Sequence, residues 1–411
     1  MTHRSFLGNL VTVVVWPMTI AFSAEPGFEE MNAAFGAPIW VDENLWDDPD
    51  QTVGERLQWP LESRTETDSS YRAYAGSKVR ILGARPFSLA LYGREGTPTQ
   101  ISMVFANKGD WAPPEGERGA RADGYAKSIA ADTQQIGGAL TNLLGPPVKD
   151  RFGKAQNSRE SVHRWDWKGH SILLASPRGE YVAVRIVPTE LLDADQTERV
   201  ADSKLREELA KRVERRENGD VILKNMPMVN QGPKGYCVPA TWERVLRYMG
   251  IPADMYVLAM AGQTAAGGGT NTSAMMAGAS DLVRAAGRRM SKTGGRLTPR
   301  MVSRYIDQGM PLLWSMYVIR DVNRGITERS AQRRKIEDWN AYKETLETAR
   351  REARRIRIDR DGGHMCMIIG YNAETDEIAI SDSWGPQFAE RWITIEEANA
   401  ISQNDFTIIE L

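Results

Sequence analysis

The sequence of 411 residues predicts an α+β protein with two folded domains behind a short apolar N-terminal segment. Three observations lead to this prediction. The length exceeds the roughly 150 residues of a typical domain. The first half contains strand-like runs, one helix and then more strands, which is the pattern of an α+β domain. The second half opens with an amphipathic helix, ends in strand-like apolar runs, and is separated from the first by a charged stretch.

The overall composition limits the classes of partner. A hydrophobic content of 41% and a charged content of 26% are typical of a soluble globular protein. The formal net charge of −2 gives no reason to expect nucleic acid or an anionic membrane as a partner. Two cysteines form at most one bridge, so a disulfide framework is excluded.

Residues 1–23 have the pattern of a secretory signal peptide. Arg4 provides a positive charge, and Phe6–Ala21 is an apolar run that Pro17 interrupts. Small residues in Ala21–Ser23 are typical of a cleavage site before Ala24. The run is barely long enough to cross a bilayer, so an uncleaved signal-anchor is the alternative to cleavage. We therefore expect a periplasmic or secreted protein.

The predicted first domain covers residues 24–190 and shows no recognisable chemistry. A helix is expected at Gly124–Leu144, because apolar residues recur on one face and Gly145 and two prolines follow it. The dipeptide Lys168-Gly169 predicts a hairpin turn between two apolar runs. Strands are expected at Phe87–Leu91, Gln100–Ala106, Val162–Trp167, Ser171–Ala175 and Tyr181–Val187.

Two charged segments interrupt this pattern. Residues 191–220 are rich in Glu, Arg, Lys and Leu, which predicts a solvated helix linking the two domains. The second domain then covers residues 221–411. Within it, Thr327–Arg357 is another long charged helical stretch. A solvated helix is the simplest interpretation, and an anion-binding or substrate-gating role is the alternative.

Cys237 is the candidate reactive residue of the second domain. Val238–Met249 has the i, i+3, i+4, i+7 apolar pattern of a helix, and Pro239 suits its first turn. Cys237 is therefore expected at a helix N-terminus, where free N–H groups and the helix dipole stabilise a thiolate. The glycines and proline of residues 232–235 turn the preceding loop sharply. Such a turn brings the Gln231 amide towards the sulfur, where it is a candidate oxyanion donor.

A base and an acid are predicted further along the chain. His364 is the one histidine of the second domain, and it opens an apolar strand. A turn at Asn372–Asp376 leads to a second strand that ends at Asp382. The two strands predict a hairpin with His364 and Asp382 as neighbours at its open end. Asp382 would orient the imidazole, and Asn372 and Asp376 are weaker substitutes at the closed end.

The motifs QGPKGYCVPA, GGHMCMIIGYN and SDSWGP together resemble the papain-like cysteine peptidase clan. They are most similar to its bacterial branch related to the peptidases that trim double-glycine leaders of bacteriocins. The resemblance extends from Val221 to the C-terminus. It implies a papain-like fold, a peptide or protein substrate and no metal or organic cofactor. It also implies Gln231 as oxyanion donor, Cys237 as nucleophile, His364 as base and Asp382 as the orienting acid.

Several of these residues also have a purely structural interpretation. Cys237 is compatible with a buried inert cysteine, and Cys366 with either a buried apolar residue or a disulfide partner of Cys237. Gln231 would then only cap its loop, and Asp382 would only hold a turn. His163 and His170 are expected as surface or half-buried strand residues, since no carboxylates cluster with them to form a metal site. Trp384 follows the acid closely and would either shield the ion pair from water or simply pack.

Three functions are compatible with this pattern. The first is a peptidase that transfers an acyl group to water through Cys237. The second keeps the same residues and transfers the acyl group to an amine, as a transglutaminase-like or cell-wall amidase-like enzyme would. The third is a non-catalytic module that binds a peptide in the cleft. An intact set of nucleophile, base, acid and oxyanion donor favours catalysis.

Overall fold

A computed structural model describes residues 25–111, 124–153, 160–193, 201–233, 235–358 and 362–411. Within these residues the chain forms twelve α-helices and two antiparallel sheets, which confirms the predicted α+β class. The expected signal peptide at residues 1–23 lies outside the described residues. Across the part of the chain described, no helix combines the length and apolar character needed to cross a membrane.

The first sheet is built from eight strands in the order β1-β2-β3-β4-β8-β7-β6-β5. Its strands are β1 Leu61–Arg64, β2 Asp68–Tyr74, β3 Ser88–Arg94, β4 Thr97–Asn107, β5 Val148–Phe152, β6 Glu160–Trp167, β7 His170–Ala175 and β8 Tyr181–Pro188. Four helices accompany it: α1 Phe28–Phe35, α2 Asp50–Leu57, α3 Gly124–Leu144 with the predicted bounds, and α4 Thr189–Asp193, which packs on β8.

The predicted hairpin between β6 and β7 is present. Trp167 pairs with His170 across the turn. Lys168 and Gly169 both have positive φ, 46° and 77°, as the twist of a two-residue hairpin requires. The five predicted strands of this half all lie within observed strands, except that Phe87 precedes β3 by one residue.

The two faces of the first sheet have different neighbours. Because alternate residues of a strand point to opposite faces, each strand contributes to two layers. One face forms a core with the accompanying helices, through residues such as Leu89, Leu91, Ile101, Met103 and Ile136. The opposite face is covered by the later half of the chain. There, Val104, Tyr181 and Ala183 form a buried cluster with Tyr236 and Tyr256. The first sheet is therefore packed directly against the helix that begins at Cys237.

The second sheet also has eight strands, and its centre is β13. The strands are β9 Val213–Arg215, β10 Asp220–Leu223, β11 Arg289–Thr293, β12 Leu312–Tyr317, β13 Gly363–Asn372, β14 Glu377–Ser381, β15 Arg391–Thr394 and β16 Ser402–Glu410. The main path runs β11-β16-β12-β13-β10-β9, and β14 pairs with both β13 and β15.

The helices of this half are α5 Asp202–Lys211, α6 Cys237–Tyr248, α7 Met255–Ala261, α8 Thr272–Ala285, α9 Pro299–Ile306, α10 Arg320–Arg333, α11 Trp339–Ala353 and α12 Ile395–Ile401. Helix α6 packs on β13 as expected. Trp242, Val245 and Leu246 are fully buried, and the Thr241 hydroxyl donates to the carbonyl of Met365 at 3.1 Å. Burial of three large apolar side chains fixes the helix against the strand, at about 1.5–3 kcal/mol each.

The linker helix over residues 191–220 is not confirmed. The described part of this segment contains α5, β9 and the start of β10, with a turn at Gly219 whose φ is 84°. Leu205 and Leu209 of α5 are buried in the core of the second sheet. Charged residues dominate the composition of this segment, which led to the prediction of a solvated helix. The i, i+4 spacing of the two leucines nevertheless forms a narrow apolar stripe.

The second charged segment is two helices rather than one. Helix α10 ends at Arg333, and α11 starts after Asp338, whose side chain caps the N–H groups of Asn340 and Ala341. The segment is also not wholly solvated. Arg333 is 7% exposed and forms ion pairs with Asp220 at 2.6 Å and Glu377 at 3.1 Å. Part of the charge run is therefore internal structure of the second half.

The prediction for His170 as a surface or half-buried residue is wrong. Its ring is fully buried among Trp40, Trp46 and Trp167, with centroid separations of 5.8, 5.5 and 5.7 Å. Neither ring nitrogen has a hydrogen-bond partner within the described structure. Burial lowers the pKa of His170 to about 4. The prediction failed because it treated histidine as a polar residue, whereas a neutral imidazole packs in a core like an aromatic ring.

The pKa of His170 in the folded protein is lower than the unfolded value of about 6.5, so His170 binds a proton more tightly in the unfolded chain. A fall in pH therefore lowers the free energy of unfolding. The loss of stability begins as pH falls below about 6.5 and grows towards pH 4. We expect the wild-type protein to lose about 2–3 kcal/mol more than His170→Leu between pH 7 and pH 4.5. Urea unfolding at both pH values measures this difference. His163→Gln, at an exposed position, should behave like the wild type, and equal losses in wild type and His170→Leu would refute the assignment.

Candidate active site

Cys237 begins helix α6, as its position before Pro239 predicts. The loop that precedes it runs beside a glycine-rich loop: Gly235 pairs with Gly268, and the Gly269 N–H donates to the Gly235 carbonyl at 2.9 Å. A Cβ atom on Gly235 would lie 2.7 Å from the Gly269 nitrogen. Glycine at position 235 is thus a requirement of close backbone packing, and that packing directs the chain into α6 with the sulfur at its first turn.

The Cys237 thiol lies in hydrogen-bond contact with the His364 imidazole. Cys237 is half-buried, and the backbone amides of Met365 and Val238 also bond to its sulfur. Burial raises the pKa of the thiol, but the hydrogen bond and charge of His364 oppose this, with the two amides adding to the effect. The net result is a pKa below the usual value for cysteine, which favours the thiolate.

His364 is held from both sides. It is the second residue of β13, it is 7% exposed, and its Nε2 lies 2.9 Å from Oδ1 of Asp382. With Nε2 engaged there, Nδ1 is the ring nitrogen left for the sulfur of Cys237. Burial lowers the pKa of His364, but the hydrogen bonds to Asp382 and Cys237 more than compensate and raise it to about 9. The imidazolium is therefore the stable form at neutral pH.

Asp382 follows β14 directly and is fully buried. Oδ1 faces His364, while Oδ2 accepts hydrogen bonds from Nη2 and Nε of Arg391 at 2.6 and 3.1 Å. Burial raises the pKa of this carboxyl, but the His364 hydrogen bond and the Arg391 charge lower it below its usual value. The carboxylate is thus ionised: Oδ1 fixes the imidazole, and Oδ2 is held by Arg391.

Arg391 is the residue of this site that sequence reasoning missed. It lies on β15, is 1% exposed, and donates from Nη1 to the side chains of Asn323 and Thr327 on α10, at 2.7 and 3.0 Å. Helix α10 thereby supports the carboxylate of Asp382 through Arg391. No spacing rule points to such a tertiary contact. The available signal was physical: a buried aspartate between two strands needs a countercharge.

Trp384 covers the outer face of the histidine. Its ring stacks on His364 with a centroid separation of 4.5 Å and an interplanar angle of 25°. Phe388 packs edge-on against Trp384 at 5.5 Å. This geometry fits the shielding alternative for Trp384, because an aromatic plane over the imidazole excludes water from the ion pair.

Gln231 is 9% exposed, and its backbone N–H donates to the carbonyl of Ser383 at 2.8 Å. Ser383 follows Asp382, so the loop of Gln231 and the loop of Asp382 are joined. Arg244, fully buried on α6, donates to the carbonyl of Pro227 at 2.8 Å and to the Ser381 hydroxyl at 2.5 Å. The helix of Cys237, the loop of Gln231 and the strand before Asp382 thus form one connected unit.

The remaining candidates lie elsewhere. Cys366 is fully buried, its thiol contacts the Met316 sulfur at 3.7 Å, and both cysteines of the chain are free thiols. Burial raises the pKa of Cys366, so it is an inert core residue. Asn372 donates to Asp220 at 2.7 Å, at the closed end of the hairpin and away from His364. His163 is exposed on β6. The described residues hold no group of three His, Cys, Asp or Glu side chains suited to a metal.

A helix that begins with cysteine and packs on an antiparallel sheet carrying a His–Asp pair is the arrangement of papain-like cysteine peptidases. Residues 223–407 match the sequence model of a family described as Peptidase_C39-like. This match supports a papain-like cysteine peptidase family for the second half and suggests a hydrolase. The match leaves residues 1–222 outside it. A search of curated proteins found no match.

Proposed function

We propose that this protein is a cysteine peptidase that hydrolyses peptide bonds through Cys237, His364, Asp382 and Gln231. The observation that carries the proposal is the contact between Cys237 and an imidazole whose Nε2 is held by a fully buried carboxylate. A thiolate–imidazolium pair is a poised nucleophile and acid. The signal-like pattern of residues 1–23 extends the proposal to export, which N-terminal sequencing of exported protein tests.

The proposed reaction has two halves. The Cys237 thiolate attacks the peptide carbonyl carbon, and the carbonyl oxygen becomes an oxyanion that the Gln231 amide and the Cys237 backbone N–H receive. The C–N bond breaks as the His364 imidazolium gives its proton to the departing amine, leaving a thioester on Cys237. The neutral His364 then takes a proton from water, which attacks the thioester carbon. The thiolate leaves, and the imidazolium is restored.

The electrostatics of the site suit these steps. The carboxylate of Asp382 stabilises the imidazolium that the first step consumes and the second step regenerates. Trp384 limits water around the pair and so strengthens its attraction. Arg391 keeps Asp382 ionised, so that the carboxylate does not compete with His364 for the proton.

Digestion of a peptide library, read by mass spectrometry, tests the activity and defines the substrate. The library includes Gly-Gly sequences, because the double-glycine-leader branch is the finer part of the proposal. An added primary amine separates hydrolysis from transfer: free carboxylate products support a peptidase, whereas amide products indicate an acyl transferase. Tight peptide binding without any product contradicts both and indicates a binding module.

The pH dependence of hydrolysis follows from the two pKa shifts at this site. The active form pairs a thiolate with an imidazolium. As pH rises, activity appears when Cys237 ionises, below the pKa of an ordinary thiol, and it falls as His364 loses its proton near pH 9. We therefore expect a bell-shaped profile of kcat/KM whose alkaline limb lies near pH 9. A profile that only rises through the range of an ordinary thiol would contradict the ion pair.

A further inference from the structure

The loop that leads to Cys237 is bonded to the first sheet, although the two are more than 150 residues apart in the chain. The Met228 N–H donates to the Ser63 hydroxyl at 2.9 Å, and the Asn230 N–H donates to Glu62 Oε1 at 2.6 Å. The Tyr74 hydroxyl donates to the Asn230 carbonyl at 2.6 Å. Asn230, the neighbour of Gln231, is thus fixed at both its N–H and its carbonyl by the first sheet.

Tyr74 also shapes the residue on the other side of Gln231. Gly232 has a φ of 73°, and a Cβ atom on it would lie 2.7 Å from the Tyr74 ring. The Gly232 N–H donates to the side-chain oxygen of Asn230 at 3.0 Å. Tyr74 therefore contacts the chain on both sides of Gln231: its hydroxyl bonds to the Asn230 carbonyl, and its ring packs against Gly232. The Gln231 N–H itself is bonded to Ser383.

The Glu62 carboxylate that binds the loop is itself held by buried partners. Glu62 and Arg72 are 5% and 6% exposed, and Arg72 Nε donates to Glu62 Oε1 at 2.7 Å. The Ser70 hydroxyl donates to Glu62 Oε2 at 2.9 Å. The Asn230 N–H completes the bonding of this buried carboxylate. Because an incompletely bonded buried charge is costly, docking of the loop and integrity of the ion pair depend on each other.

We propose that the first sheet is part of the active site: Glu62, Ser63 and Tyr74 are positioning residues that hold residues 228–231 so that the Gln231 amide faces the developing oxyanion. This inference rests on the proposed function. Oxyanion donors act because they are already in place before charge develops. A donor on a glycine-flanked loop has that property only when its backbone is held, and here the holding groups come from the first sheet.

Two small probes separate positioning from nucleophilicity. With 4-nitrophenyl acetate, the Cys237 thiolate attacks the ester carbonyl, an oxyanion forms, and 4-nitrophenolate leaves to give an acetyl thioester. With iodoacetamide, the thiolate displaces iodide from a saturated carbon, and no oxyanion forms. Tyr74→Phe removes the bond to Asn230 and keeps the ring. We expect it to slow acylation at least tenfold, since loss of a whole donor costs about 10²–10³, and to leave alkylation unchanged.

Tyr256→Phe is the matched control. It removes another buried hydroxyl contact between the two halves, the Tyr256 bond to Ser88 at 2.8 Å, and leaves the hydrogen bonds of residues 228–231 in place. It should react like the wild type with both probes. Ser63→Ala, which removes the bond to Met228, should repeat the selective loss. The readout is the 4-nitrophenolate burst that disappears in Cys237→Ala.

Four outcomes overturn the inference. A wild-type rate of acylation in Tyr74→Phe shows that residues 228–231 do not need the Tyr74 hydrogen bond. Equal slowing of both probes shows that the thiolate, rather than the oxyanion donor, has changed. Equal losses in Tyr74→Phe and Tyr256→Phe show a general loosening of the contact between the halves. Wild-type protein that is alkylated at Cys237 but never acylated refutes the proposed function and, with it, the positioning role of the first sheet.

Discussion

Replacing Cys237 with alanine is expected to abolish peptide hydrolysis. The substitution removes the attacking atom and leaves only binding and oxyanion stabilisation, so kcat should fall by about 10⁶, as it does when a protease loses its nucleophile. Folding should be little affected, because Cys237 is half-buried and lies at the end of α6 rather than in its core. Digestion of the peptide library by purified wild-type and variant proteins measures the effect.

Cys366→Ala controls for the general loss of a thiol. Cys366 lies on β13, two residues beyond His364, but points into the core. Its replacement should cost some stability and leave kcat close to that of the wild type. Hydrolysis that survives in Cys237→Ala, or that disappears in Cys366→Ala with the fold intact, would show that the wrong sulfur has been assigned.

Asp382→Asn has the second largest expected effect. An amide no longer favours the imidazolium, so the pKa of His364 should fall below about 9 and the alkaline limb of the rate profile should move to lower pH. Loss of the orienting carboxylate costs up to about 10⁴ in kcat in a Ser-His-Asp triad. We expect a decrease of about 10²–10⁴ here. The pH dependence of kcat/KM, together with kcat at the optimum, measures both effects.

Asp382→Asn also leaves Arg391 buried without its anion, which costs about 3–5 kcal/mol. A control must therefore remove a comparable carboxylate. Glu377→Gln removes a carboxylate that is 1% exposed at the other end of β14 and pairs with buried Arg333, which keeps Asp220 as its second anion. It should lose stability and keep the alkaline limb in place. An unchanged limb in Asp382→Asn, or the same shift in Glu377→Gln, would contradict the orienting role of Asp382.

The elements that carry the site were predictable because their signals are local. The apolar period of residues 238–249 and the proline at position 239 determine where α6 starts, and thus where Cys237 lies. The two apolar runs and the turn between them determine the hairpin of β13 and β14, and its pairing brings His364 and Asp382 to the same end. The α+β class followed from the same patterns.

The contacts that complete the site were not predictable, because they join distant segments. Arg391 reaches Asp382 across paired strands, and Tyr74 reaches the loop before Cys237 from another sheet. The burial of His170 among tryptophans likewise depends on packing, which residue type alone does not determine. Composition misled at α5, where charges on the exposed face outnumber the two leucines that decide its position.

The proposed catalysis requires Cys237 to be a thiolate stabilised by His364, and the rate of its alkylation as a function of pH tests this most directly. The folded protein is treated with iodoacetamide at a series of pH values, and modification of each cysteine is followed by peptide mapping. We predict that Cys237 reacts at pH 7 much faster than an ordinary thiol with a pKa of about 8.5, and that Cys366 stays unmodified. A Cys237 rate that follows an ordinary thiol titration, or that matches Cys366, would contradict the account.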